Sequence, residues 1–380
     1  MGLSDALARL AVRAAQVLVV EVPGHWATRM ELEHQALRRG WRPAWTPADA
    51  DVLAVCGAPG PELSELVDRL WEQMPGPRVR ADITSPAAVG PALDDAAALL
   101  LDTTHQRKDA QERAQEPEIP EDADHGGHGE MDHGEMDHGE MDHGGHGGMD
   151  HSGHGGMDMA PGGIALAGSG EDRDGLEMDV LHLPLGPVLP FWPAGLVLRC
   201  SLQGDVVVDA EASVVDGAGA GGPGPGPAPA AVVWCDQVVA LLALAGAEDA
   251  AAGARRTRDA LLHGDRGAAR DAAERLHRTI RRSRLLRWSL RGVLPLDPSA
   301  LEHHGLPRHC LGDAHDRLLS RVERIRAEAG GAEPVPVEDA AVPWAVLPEL
   351  VTGLELGSVR LAVASLDLQP HPAVQAVGHG

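Results

Sequence analysis

Along the first hundred positions the apolar residues fall into short continuous runs and helical stripes in turn. Residues 3–18 carry Leu, Ala and Val at helical spacing and predict an amphipathic helix. Val17-Leu18-Val19-Val20-Glu21-Val22 is an apolar run of the length that suits a buried strand, and Pro23-Gly24 closes it. A helix over about 27–39, closing at Gly40, follows. A second strand is expected over 51–56, ending at Gly57. A helix from Pro61 to about Gln73 stops before Pro75, and Val79–Ile83 reads as a third strand. Strand and helix in alternation predict a small α/β domain with a parallel sheet over 1–104.

The pattern then changes. Over 105–163 neither helical nor strand periodicity survives, so this acidic, His- and Met-rich segment reads as disordered unless metal orders it. Residues 164–216 read as a β-rich segment, with Leu196–Leu202 and Val206–Ala210 forming a hairpin about Gly204-Asp205. Residues 217–230 (GAGAGGPGPGPAPA) are a Gly/Pro/Ala linker. From 231 to 380 the chain reads as a helical domain, with Val359–Ser365 as a final strand or buried extended segment. The fold expected is thus an α/β N-terminal domain and an α+β C-terminal domain, a β hairpin followed mainly by helices.

Composition narrows the chemistry. The chain has no Tyr, one Phe and eight Trp, so its core rests on Leu, Val and Ala and tyrosine chemistry is excluded. The net charge is −25, and residues 109–159 hold 15 acids against one Arg. That acidity argues against general nucleic-acid binding. The stretch 255–291 is the reverse, with 12 Arg against four acids, and reads as helix with a solvated arginine face. Cys56, Cys200, Cys235 and Cys310 are far apart in the chain and include no CxxC pair, which fits a reducing compartment and structural burial. Arg9 and Arg13 interrupt the first apolar stretch, so no signal peptide is expected, and no apolar run is long enough to span a membrane.

The most chemically pointed feature is a repeat. Three copies of Gly-Glu-Met-Asp-His fill 129–143, and two looser copies run to 159. Its candidate metal ligands are His125, His128, Met131, Asp132, His133, Met136, Asp137, His138, Met141, Asp142, His143, His146, Met149, Asp150, His151, His154, Met157 and Met159. Imidazole suits Cu, Ni and Zn, thioether selects Cu(I), and carboxylate adds charge. The segment resembles the Met-Asp-His repeats of bacterial copper-handling proteins.

Two further stretches carry a family likeness. Residues 47–78 (PADADVLAVCGAPGPELSELVDRLWEQMPGPR) combine Ala50–Leu53, a strand ending at Gly57, a helix, and Gln73-Met74-Pro75-Gly76-Pro77-Arg78. The second half holds Gly186-Pro187-Val188-Leu189-Pro190 and the hairpin after Gly195, then Gly312-Asp313 through Arg317, then Ala364-Ser365-Leu366-Asp367. In that order the two halves resemble subunits B and D of NADH-quinone oxidoreductase, respiratory complex I, and the small and large subunits of nickel–iron hydrogenases. Gly186–Pro190 looks like that family's Gly-Pro-x-His-Pro motif near the quinone site. Gly312–Arg317 resembles its Gly-Asp-x-x-x-Arg helix, and Ala364–Asp367 its C-terminal Ser-x-Asp-Pro segment. The departures are as informative. The motif histidine is Leu189, the quinone-site tyrosine cannot exist, and Gly24–Glu31 holds no Cys where the family places an adjacent Cys pair. The paired Cys that hold nickel and iron in hydrogenases are missing too. No iron–sulfur cluster is therefore expected.

Lesser candidates are His303, His304, His309, Cys310 and His315, close enough in sequence for a zinc site but at no standard spacing, and Glu31, Glu33 and His34 on one helix without a nucleophile beside them. Gly57-Ala58-Pro59-Gly60 is no phosphate loop. The function expected is a non-catalytic scaffold related to the complex I or hydrogenase peripheral arm. Such a protein would be cytoplasmic, attached to the inner face of the membrane through partner subunits without inserting directly. The alternative is a Cu, Ni or Zn buffering or delivery protein. A third reading is a redox-complex subunit that borrows ligands from a partner.

Overall fold

The structure is a computed structural model of the 380-residue chain, and it describes residues 3–115, 168–171, 177–216, 230–332 and 342–368. The first part runs α1 (Leu3–Val12), β1 (Gln16–Glu21), α2 (Trp26–Arg38), β2 (Arg42–Pro43), β3 (Val52–Cys56), α3 (Pro61–Gln73), β4 (Val79–Ile83), α4 (Val89–Leu101) and α5 (Thr103–Gln115). Its four strands are all parallel, in the order β2-β1-β3-β4.

Side-chain alternation explains why both faces of this sheet are covered. Val17, Val52, Ala54 and Cys56 point to one face, where Leu32, Ala36, Leu93 and Ala96 of α2 and α4 pack. Leu18, Val20, Leu53 and Val55 point to the other, beneath Leu63 and Val67 of α3. Edge strand β4 keeps Val79, Ala81 and Ile83 inward and turns Arg80 and Asp82 to solvent.

The second part begins with an antiparallel sheet of β5 (Gly168–Glu171), β6 (Glu177–Leu185), β7 (Leu196–Gln203) and β8 (Val206–Val214), in sequence order. Leu196, Leu198, Cys200 and Leu202 form its inner face. Helices α6 (Ala230–Leu244), α7 (Glu248–Leu262), α8 (Arg266–Arg282), α9 (Arg284–Leu290), α10 (Pro298–His304), α11 (Ala314–Ala329), α12 (Leu347–Val351) and α13 (Leu356–Ser365) complete it. One core joins the sheet to α10, α12 and α13, and a second lies among α6, α7, α8, α9 and α11.

Four expectations change. The first helix ends at Val12 rather than 18, because Gln16 N–H takes the Asp51 carboxylate at 2.8 Å and Val17 onward pairs with β3. Residues 105–115 are helical, as part of α5, despite their polar composition. Asp102 accepts from Thr104 and His105 N–H at the start of this helix, and Arg78 reaches Asp109 from the sheet at 3.1 Å. Helix α4 had no counterpart in the pattern reading. Residues 359–365 belong to α13, not to a strand: Val359, Ala362 and Val363 are buried at helical spacing, and the high β-propensity of valine yields to that packing. The segments 116–167 and 217–229, with all eighteen ligands of the repeat, lie outside the described residues. Among the described residues no helix is long and apolar enough to cross a membrane.

The two parts are fastened together. Asp216, at the end of β8, accepts from Glu62 N–H at 2.8 Å and Leu63 N–H at 3.2 Å, so it caps α3 of the other part. Glu62 accepts from Asp216 N–H in return, at 3.3 Å. Asp216→Ala is expected to cost about 1 kcal/mol of stability in urea denaturation, as lost helix caps do. Asp216→Asn should recover most of it, since Asn tolerates the φ of +60° found there.

Candidate functional site

Parallel strands end together, so the loops after β1, β3 and β4 gather at one edge of the first sheet. There the chain offers Gly24, His25 and Trp26 after β1 and Gly57 after β3. The His25 ring is buried against Gly57, where any Cβ would collide with it. Burial lowers the pKa of His25, which keeps the ring neutral.

The loop between β6 and β7, residues 186–195, closes over this edge. Gly186 has φ +83°, and a side chain there would strike the Leu196 carbonyl and the Trp192 indole. Trp192 Nε1–H donates to Leu196 O at 2.8 Å and pins the loop to its own strand. Val188 packs into the α3 side of the first sheet, and Arg360 of α13 donates to Pro190 O at 2.5 Å. The loop is therefore held from both parts of the molecule.

Between the parts lies a cavity of about 720 Å³. Its walls are apolar: Trp26, Met30, Trp41 and Trp45 on one side, Leu189, Phe191 and Trp192 of the loop on another, Val239 and Val363 behind. Trp45 and Phe191 meet across the join with ring centroids 5.3 Å apart. An apolar hollow of this size with a few polar groups at one end is the usual form of a small-molecule site.

The polar end is a buried ion network. Arg29 of α2 pairs with Glu21, with Glu33 at 2.7 Å and with Asp236 of α6 at 2.6 Å. Arg258 of α7, with no exposed side-chain surface, gives Nη1–H to both Glu33 and Asp236 at 2.7 Å and Nε–H to Asp259 at 3.1 Å. Two cations from different parts of the chain thus share two carboxylates. Burial would raise the Glu33 and Asp236 carboxyls, but Arg29 and Arg258 outweigh it and hold both below their ordinary values of 4.5 and 3.8. Glu21 differs: burial prevails over the lowering effect of Arg29 and raises its pKa above the ordinary value of 4.5.

Outside the network, His34 Nδ1 lies 3.0 Å from Asp259 and His263 Nε2 lies 3.0 Å from Glu31, the two rings 4.6 Å apart. The helix carrying Glu31, Glu33 and His34 is therefore the seam to α7 rather than an isolated acidic face.

The four thiols do not fit a metal cluster. Cys56 is on β3, Cys200 on β7, Cys235 on α6 and Cys310 just before α11, and each is buried and free. Burial pushes Cys200 and Cys310 up to about 11 and Cys56 and Cys235 further still, so all four are protonated packing groups at neutral pH. The lesser histidine group divides. His303, His304 and Glu349 can offer ligand atoms to one point, as can Asp313, His315 and Asp316, while His309 faces Asp367 at 3.8 Å. Asp313 and Asp316 already form the capping box of α11.

Arg317 and Ser365, from two separate sequence motifs, meet in the core. Arg317 gives Nε–H and Nη2–H to Ser365 Oγ at 3.1 and 2.8 Å, and reaches the carbonyls of Cys310, Gly312 and Leu294 at 3.1, 2.7 and 3.0 Å. Arg321 beside it donates to the Ala364 and Ser365 carbonyls. Arg317, Arg321 and Ser365 build structure and do not line the cavity, whereas Ala364 and Leu366 of the same C-terminal motif do.

Pattern reading missed Arg29, Asp236 and Arg258. One signal was present: Arg258 continues the buried helical stripe of Ala250, Ala251 and Ala254, where a solvated arginine would not sit. Compared with known proteins, the chain matches no family model, no curated protein and no solved structure.

Proposed function

We propose that the chain is a non-catalytic scaffold, a fused relative of complex I subunits B and D or of the hydrogenase small and large subunits, that keeps a largely apolar pocket at the join. The observation that carries this reading is the position of the 186–195 loop. The segment resembling the quinone-site motif forms a wall of the cavity between the two parts, and Leu189 stands where the motif has histidine. The site can enclose an apolar molecule. With neither that histidine nor any tyrosine in the chain, it has no side chain to protonate a quinone as the family would.

Affinity purification of the full chain from its own cells tests the reading. Redox-complex subunits in fixed stoichiometry are expected, and a chain that elutes alone would sink it. A short-chain quinone analogue, used as an apolar probe, should quench tryptophan emission saturably, because four of the eight Trp line the cavity. Leu189→Arg, which buries a charge in that wall, should weaken the quench about tenfold or more. Linear, non-saturable quenching would remove the pocket from the proposal.

The repeat favours a second role beside this one: holding Cu, Ni or Zn through its eight His and six Met. Metal analysis of the full chain and of a 125–159 deletion tests it. Several ions lost on deletion are expected, and equal metal content in both proteins would end it.

A further inference from the structure

The end of α8 and the whole of α9 present a surface that the reading above does not use, and none of its residues lines the cavity. Arg278, Arg281, Arg282, Arg284, Arg287 and Arg291 are all exposed there. No Asp or Glu occurs from 275 to 296. Of the acids on neighbouring turns, Glu274 lies 3.8 Å from Arg326 and Glu323 lies 3.9 Å from His277.

Amid these arginines stand two large apolar side chains. Leu285 is 70% exposed and Trp288 79%, the highest values among the large hydrophobic residues described. Three positions apart on a helix, they share one face. The opposite face is complete: Leu286 and Leu290 are buried in the core with Leu318 and Val322 of α11. Ser283 caps the helix by accepting from Leu286 N–H at 3.2 Å. Helix α9 is thus fixed by its inner face, and its outer Leu and Trp are not required for folding.

We propose that this face docks the protein onto the surface of a bilayer containing anionic phospholipid. Guanidinium groups bind phosphate with paired N–H donors. An indole settles at the level of the headgroups, and a leucine beside it gains by leaving water for the acyl boundary. Nucleic acid would satisfy the arginines but offers no apolar phase for Leu285. The chain's net charge is −25. Exposed charges more than about 8 Å apart are largely screened at physiological salt, so the arginines nearest the bilayer weigh most. The contact is interfacial, and no described helix crosses the membrane.

The test is co-sedimentation of the full chain with phosphatidylcholine vesicles, with or without about 40% phosphatidylglycerol, since anionic lipid supplies the attraction. Binding to the anionic vesicles alone is expected. Leu285→Ser with Trp288→Ser should lower the partition coefficient about tenfold or more. Arg284→Gln with Arg287→Gln should lower it about 10- to 30-fold. Both pairs are on the exposed face, and unchanged circular dichroism checks that they fold. Binding to neither vesicle, or equally to both, overturns the proposal. So does a Leu285/Trp288 variant that binds as well as the parent, the result expected if an acidic protein or a nucleic acid were the true partner of the arginines.

Discussion

Arg258→Ala should destabilise the protein by about 3–5 kcal/mol, because it leaves carboxylates buried without their cation. The side chain has no exposed surface and joins Glu33 of the first part to Asp236 and Asp259 of the second. Arg256→Ala, two residues away on the same helix but exposed, should cost less than about 0.5 kcal/mol. Urea denaturation of the two variants side by side is the measurement, and equal midpoints would show that the network does not hold the parts together.

The network also sets an acid limit. The folded pKa values of Glu33 and Asp236 lie below 4.5 and 3.8, so their contribution is fully present above those values and is lost as the pH falls through the lower, folded ones. Glu21 works in the opposite sense. Its folded pKa is raised above 4.5, so its contribution is present below 4.5 and lost as the pH rises through the raised value. Stability should therefore decline on the acid side below about pH 4. In Arg258→Ala that decline should be shallower, because one of the two cations depressing the carboxyl pKa values is gone. A parent-like slope in the variant would contradict the assignment.

The second large effect is at Arg317. This guanidinium is 1% exposed and is satisfied by carbonyls and a hydroxyl instead of a carboxylate. Burial, with Arg321 beside it, pulls its pKa down to about 10. Arg317→Met should cost about 3–5 kcal/mol, since it strands the buried carbonyls of Cys310, Gly312 and Leu294. Lys cannot reproduce the fork of five donors, so Arg317→Lys should rescue only part of the loss. Ser365→Ala should cost about 1 kcal/mol, the value of one hydrogen bond. Full rescue by Lys would mean that charge, not donor geometry, is what the site needs.

The hydrophobic pattern carried much of the architecture. The run at 52–56 is short, apolar on both faces and closed by Gly57, so it read as a covered strand, and the helix at 61–73 was bounded by prolines at each end. The hairpin about Gly204-Asp205 was legible because alternation and turn chemistry agree. Where a polar stretch is ordered by partners elsewhere, the pattern failed. Helix α5 rests on Arg78 and on the cap at Asp102, and neither registers in a periodicity. Helix α13 failed for another reason: its segment is apolar nearly all round, and such a run has no period to read.

The site was legible only in parts. Local sequence determined that the 186–195 loop is glycine- and proline-bound, that Leu189 replaces a histidine, that no tyrosine is available, and that the repeat is rich in metal-ligand types. Those are properties of single residues and their immediate neighbours. The cavity, and the meeting of Arg29 with Asp236 and of Arg258 with Glu33, required the tertiary structure. The partners are more than 200 positions apart, and an arginine bound for a buried network looks in sequence like its exposed neighbour Arg256. Which of them loses its water is decided by how two independently patterned layers pack, and only the packed chain contains that information.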